Sequence, residues 1–318
     1  MKHPHPSTAV LAALGAAALF GASTPFAKQF VGDMSALLLA GLLYLGSGAG
    51  LSIFRLLRDR GWRKPGLTAQ EWPWLLGAIA CGGVAGPTLL MMCLVHMSAA
   101  SASLLLNLEG VLTALLAWLV FKENADRRVM LGMLLIVLGG LVLSWPSAQA
   151  GGSDNWLGTC SIAGACLCWA LDNNLTRQVS NSDALFITGL KGLIAAAVNI
   201  SLALALGHSM PPLSVSAPIL LIGLLGYGVS LALFVLALRG LDAARTGAYF
   251  GAAPFIGAAI AIGLFHESAS PLFWLAGGLM ALGIWLHLTE RHEHPHWHGD
   301  VQHSHPHFPD IHHRHEHS

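Results

Sequence analysis

Apolar residues fall along the chain in blocks of bilayer length, separated by short polar or glycine-containing connections. The blocks lie at about 8 to 29, 35 to 54, 73 to 95, 98 to 121, 129 to 146, 155 to 177, 184 to 206, 214 to 238, 243 to 265 and 271 to 289. At ~1.5 Å rise per helical residue each can cross a ~30 Å hydrocarbon core, so the pattern predicts ten transmembrane helices and an all-α polytopic membrane protein. The block from Ser98 to Glu123 is unusual because it carries a carboxylate, Glu109, at its middle, where an ionisable group facing lipid is costly. Helical spacing puts Ser98, Ala102, Glu109, Thr113 and Ala117 on one small or polar stripe, which we expect to face protein or a cavity.

The connections alternate in basic content. Arg55, Arg58, Arg60, Arg63 and Lys64 follow block two, Lys122, Arg127 and Arg128 follow block four, Arg177 ends block six, and Arg239 and Arg245 flank the turn after block eight. The intervening connections hold no Lys or Arg, and only Lys28 and Lys191 lie within or beside a span. By the positive-inside rule both termini are expected in the cytoplasm. Five spans per half would insert the second half upside down, as two inverted five-helix repeats. Residue matches support duplication. Glu123 and Glu267, Ala99 and Ala243, Ala100 and Ala244, and Gly139 and Gly283 are each 144 positions apart. Gly15 and Gly164, Phe20 and Trp169, Lys28 and Arg177, and Gln29 and Gln178 are each 149 apart. The expected organisation is a first repeat over 1–148, a second over 149–290 and a tail over 291–318.

Composition agrees with a lipid environment: 54% of residues are hydrophobic and only 10% charged, less charge than a soluble domain of this size needs. No acidic or basic domain suggests nucleic acid as a partner; the expected partners are the bilayer and a small-molecule substrate. The five cysteines all fall in apolar blocks and are read as small buried hydrophobes, not as disulfides or a zinc site. The first block follows MKHPHPST without a clear cleavage site and is expected to be a retained span.

Charged and polar residues inside the blocks are the candidate pathway. Glu109 reads as a proton or cation site, or as a structural carboxylate held by a neighbouring helix. Lys191 shares a stripe with Thr188, Ala195 and Asn199, so it should face inward as counter-charge to Glu109 or Asp172, or as a ligand for a substrate carboxylate. Asp172 with Asn173 and Asn174 lies about one turn inside the end of block six. Thr113, Tyr249 and Phe250 are candidate cavity-lining residues. Glu123, Arg127 and Glu267 are read as gating or structural ion-pair residues. Gly247, Gly251, Pro254 and Gly257 weaken block nine, and a kink or close helix contact is expected near Pro254.

Residues 291–318 hold eleven histidines, three prolines and little apolar content, so the tail should not fold alone. His292, His294, His296 and His298 alternate, and with His303, His305 and His307 they form a candidate weak site for Ni, Zn or Cu. No resident cofactor is otherwise expected.

Four patches resemble the drug/metabolite transporter superfamily, in particular EamA-type proteins with two EamA repeats. They are LFGASTPFAKQF from Leu19 to Phe30, the stretch Ala99 to Glu123, WALDNNLTRQ from Trp169 to Gln178, and Ala243 to Glu267, where Pro254 and a Glu thirteen residues on match the family spacing. The sequence departs from that pattern at Phe20-Gly21, where the family often has Trp-Gly, and at Gly110, where it has proline after no such Glu109. The resemblance implies a ten-helix carrier with a central cavity that exports or exchanges a small organic solute by alternating access, with proton coupling the expected drive. A metal-ion or metal-regulated carrier is the alternative suggested by the tail. An intramembrane enzyme is the third class; no Ser/His/Asp set, HExxH or paired-Asp motif supports it in the spans.

Overall fold

The computed structural model describes residues 6–61, 66–121, 127–145, 155–179, 183–238, 246, 249–288 and the backbone of 292–298 and 301–307. Helices α1 (Pro6–Lys28) and α2 (Ala36–Asp59) open the fold. Next come α3 (Trp72–Ala78) and α4 (Gly86–His96), α5 (Ala99–Leu105) and α6 (Leu108–Phe121), and α7 (Arg127–Leu143). The second half holds α8 (Asn155–Arg177), α9 (Ala184–Ala205), α10 (Leu213–Gly223), α11 (Ser230–Leu238), α12 (Ala253–Gly263) and α13 (Pro271–Leu288). Among the described residues, six helical segments are long and apolar enough to cross a membrane, one of them with an interruption: 7–28, 36–59, 69–96, 99–116, 184–205 and 213–237. Shorter apolar helices cover 130–143, 253–263 and 271–286, while α8 is 23 residues long but more polar. Large apolar side chains such as Leu57, Leu141, Trp274 and Trp285 are exposed, as a lipid-facing surface requires.

Polar residues end the helices where the apolar runs stop. Ser35 accepts from the Leu38 N–H, Ser98 from the Ser101 N–H, and Asp183 from the N–H groups of Leu185 and Phe186. Asp183 also accepts from Arg58 at 2.7 Å and Arg55 at 3.3 Å, which ties the end of α2 to the start of α9. Partial burial pushes the Asp183 carboxyl up, but the bonds from Arg58, the Phe186 N–H and Arg55 outweigh it and hold it below its ordinary value.

Packing follows the small residues. Helix α2 lies along α9, α7 along α13, and α5 against α12. Helix α1 sits between α11 and α12, and α8 sits between α4 and α6, the same arrangement with the halves exchanged. Two π-helical segments, Ile79–Ala85 between α3 and α4 and Leu224–Val229 between α10 and α11, fall at matching places of the halves. A side chain at Gly82 would collide with the Asp172 carboxylate, and one at Gly226 would come within 2.5 Å of Ser23. Those glycines are 144 positions apart and their partners 149, the two offsets that relate the halves in sequence.

Two expectations change here. The span from Ser98 to Phe121 is not one helix: it breaks at Leu106–Asn107, where the N–H groups of Asn107 and Glu109 bond three residues back, to Leu104 and Leu106. The Asn107 side-chain amide also donates to the Leu104 carbonyl, at 2.8 Å, adding to the bond from its own backbone N–H at this helix end. Glu109 therefore stands in the first turn of α6, not in a helix interior. The matching span is interrupted at Gly251–Ala252, and Pro254 lies in the first turn of α12, where its missing N–H costs no bond. Pro254 thus starts a helix instead of kinking one, and the close helix contact expected as the alternative is present: a Cβ at Gly257 would lie 2.7 Å from the Gly21 carbonyl oxygen of α1.

The tail, expected to have no fold of its own, shows β1 (His292–His298) antiparallel to β2 (Val301–His307) along its backbone. His recurs at every second position along both segments, a period of two that is compatible with a strand.

Candidate functional site

Residues of both halves line a cavity of about 530 Å³; apart from Phe20 and Tyr44, they lie between about the middle of their helices and the ends from which the Lys- and Arg-rich connections emerge. Glu109, Asp172, Asn173, Thr188 and Lys191 all line it. The Asn173 amide donates to Glu109 Oε1 at 2.9 Å and to Thr113 Oγ1 at 3.4 Å, which brings α6 and α8 together at the break in the first half. Among the described residues no basic side chain lies within ion-pair distance of Glu109, and its Oε2 accepts no hydrogen bond. Lys191 is the counter-charge of Asp172: its ammonium donates to Asp172 Oδ1 and, at 3.2 Å, to Thr176 Oγ1, while the Thr176 hydroxyl donates to Asp172 Oδ1 at 2.9 Å. Of the two partners left open for Lys191 by spacing, the structure selects the one on α8.

The first π-helical segment shapes this wall. Widening the helix frees the Gly82 and Gly83 carbonyls; Gly82 accepts from the Tyr44 hydroxyl at 2.9 Å and Trp169 Nε1 at 3.1 Å, and Gly83 from the Asn199 amide at 3.3 Å. The opposite wall is aromatic. Tyr44 and Tyr227 ring centres are 5.6 Å apart, Tyr227 and Phe20 5.9 Å, Phe20 and Phe250 5.3 Å, and Phe250 and Phe234 5.0 Å. Sequence reasoning found Phe250 but missed Tyr44 and Tyr227; polar-tipped aromatics inside apolar blocks were the available signal. Tyr249 packs instead beside Leu233 and Leu236 against Ala12, Ala13 and Ala237. Pro254 lines an adjoining cavity of about 260 Å³ together with Asn107, Glu109 and Gly251, so both helix breaks border one space.

At the other end of the bundle, polar and aromatic contacts tie the helices together. The Glu267 carboxylate accepts from the Ala99 N–H at 3.0 Å and the Ala100 N–H at 2.8 Å, capping α5. The Lys28 ammonium donates to the carbonyls of Leu94 and Met97 at the end of α4, and Phe26 meets Phe265 edge-on at 5.3 Å. Glu267 thus acts on the N–H groups of a helix, and Lys28 is near enough to interact with it electrostatically without a direct ion pair. Glu123 lies outside the described residues, as does the side chain of Arg127.

The EamA-like transporter family matches residues 7–145 and again 156–289. An uncharacterized transporter of Methanothermobacter thermautotrophicus is 26% identical over 285 residues, covering 84% of this chain and 82% of that one. A probable 4-amino-4-deoxy-L-arabinose-phosphoundecaprenol flippase subunit ArnE of Pseudomonas paraeruginosa is 38% identical over 114 residues, covering 34% of this chain but 95% of its own length. A protein known from a crystal structure shares the fold with a TM-score of 0.65 at 19% identity, covering 87% of this chain and 94% of that one.

Proposed function

The chain belongs to the EamA-like transporter family, and from that premise we propose that it moves a small organic solute across the bacterial inner membrane through the Glu109 cavity by alternating access, driven by protons. The observation that carries the reading is Glu109 itself, a carboxylate without a basic partner among the described residues, placed beside the breaks of two matching helices. Broken helices at the centre of a bundle supply polar backbone where a solute binds and hinges where the bundle can rock. The exchanged packing of the halves supports two inverted five-helix repeats, and a relative only about as long as one half supports a single repeat as the ancestral unit. The cavity faces the basic connections, so with both termini in the cytoplasm this conformation faces inward.

Glu109→Gln tests the proton step because it preserves shape and hydrogen bonding but cannot lose a proton. For a solute selected by its thermal stabilisation of the purified protein, the variant should lose accumulation driven by a pH gradient in proteoliposomes at every solute concentration, and retain solute exchange at equal pH once the solute is raised enough to offset weaker binding. Full gradient-driven accumulation would remove Glu109 from the proton path.

A second reading concerns the tail. In the β1–β2 register His292 faces His307, His294 faces His305 and His296 faces His303, three rungs of histidine at alternate positions. A two-stranded hairpin alone is marginal in water, and we propose that Ni, Zn or Cu staples it. Removal of residues after Glu290 should abolish most Ni binding in calorimetry near neutral pH; unchanged stoichiometry and affinity would disprove the site.

A further inference from the structure

We propose that the solute of the Glu109 cavity is an organic monocation, an amine or quaternary ammonium carried on an apolar body of aromatic size. This rests on the carrier reading above and adds the substrate class. Among the described residues, the charged side chains lining the cavity are Glu109, Asp172 and Lys191. Lys191 and Asp172 neutralise one another, and the ammonium also bonds Thr176, so Lys191 cannot receive an anionic solute without leaving a buried carboxylate unpaired. Ionised Glu109 therefore leaves the cavity one negative charge in excess. Its Oε2 is free to accept an N–H while Asn173 holds Oε1 in place. A solute with one positive charge closes this balance, whereas a neutral one leaves the carboxylate unpaired and an anion adds to the charge.

The aromatic wall argues for the same class. Phe20 and Phe250 line both the main cavity and the adjoining one, and Glu109 lines both with them, so carboxylate and rings share one space. Aromatic faces attract cations through their quadrupole and cover the apolar body of an arylalkyl amine. A volume of about 530 Å³ holds a molecule of that size.

The test uses the full-length protein in nanodiscs and calorimetric titration with 2-phenylethylamine, its neutral analogue 2-phenylethanol, the anion phenylacetate and the ringless cation ethylamine. The amine should bind one per chain, at least about tenfold tighter than each of the other three, as a charge-assisted contact plus ring burial requires. Glu109→Gln should weaken it by about tenfold or more, and Phe250→Leu by roughly three- to tenfold, while the melting temperature of Phe250→Leu confirms a folded protein. Equal affinity for the alcohol or the acid, or a Phe250→Leu protein that is folded and binds the amine unchanged, would overturn the proposal. Counterflow of labelled 2-phenylethylamine in proteoliposomes separates the two claims. Binding without counterflow would sink the carrier reading and leave the monocation site standing; counterflow of an anion with no amine binding would do the reverse.

Discussion

Lys191→Met should destabilise the protein by roughly 3 kcal/mol, the lower end of the cost of stripping one partner from a buried ion pair, because the pair borders a cavity and is not fully dry. The side chains of Lys191 and Asp172 are 13% and 12% exposed, so the surviving carboxylate has little water to turn to. Thr176 offers it one hydroxyl, which does not replace a charge. Asp172→Asn should cost a similar amount by orphaning the ammonium. The double variant Lys191→Met, Asp172→Asn should recover at least half of the summed loss, since no unpaired charge remains. Thermal melts of the four proteins in one detergent close this cycle, and strictly additive losses would mean that the two residues do not stabilise one another.

Gly192→Val should be as damaging, for a steric reason. A Cβ at Gly192 would lie 2.7 Å from the Gly48 Cα, 2.9 Å from the Gly48 N and 3.1 Å from the Tyr44 carbonyl oxygen. All three are backbone atoms of α2, so no side chain can swing aside; the helices must separate. Forcing them apart costs about 3 kcal/mol, the upper end for overpacking, and it displaces both Tyr44 and Lys191 from the cavity wall. Gly278→Ala in α13 is the matched control, because nothing lies within 4 Å of its Cβ position. It should leave stability unchanged or raise it by up to about 1 kcal/mol, the gain of alanine over glycine in a helix. A Gly192→Val protein that elutes and melts like the parent would show that α2 and α9 are not packed backbone to backbone.

The helix breaks mark where sequence reasoning stopped. LLNLEG around Asn107 contains no proline, and its single glycine follows the break, so periodicity reads straight through it. At the break the Leu104 carbonyl accepts from both the backbone N–H and the side-chain amide of Asn107, a local bond that competes with the regular helix pattern. In the other half the cues were present: the glycines and Pro254 point to a kink or a close helix contact, and the structure has the close contact with α1 while Pro254 opens a helix. The π-helical segments left no pattern beyond glycine density, since an extra residue in one turn barely disturbs a hydropathy profile.

By itself the sequence determined the membrane class, the order and approximate limits of the apolar helices, the two related halves, and the inward placement of Glu109, Asp172 and Lys191. These follow from composition and period, because a bilayer penalises every exposed polar group and so writes its constraint into each segment separately. Only the tertiary structure decided that Lys191 serves Asp172 and leaves Glu109 to Asn173, that Tyr44 and Tyr227 extend the aromatic wall while Tyr249 leaves it, and that Glu267 caps a helix 167 residues earlier in the chain. Each of those outcomes depends on which side chains from distant segments meet, and on distances of a few ångströms that helical spacing within one segment does not encode.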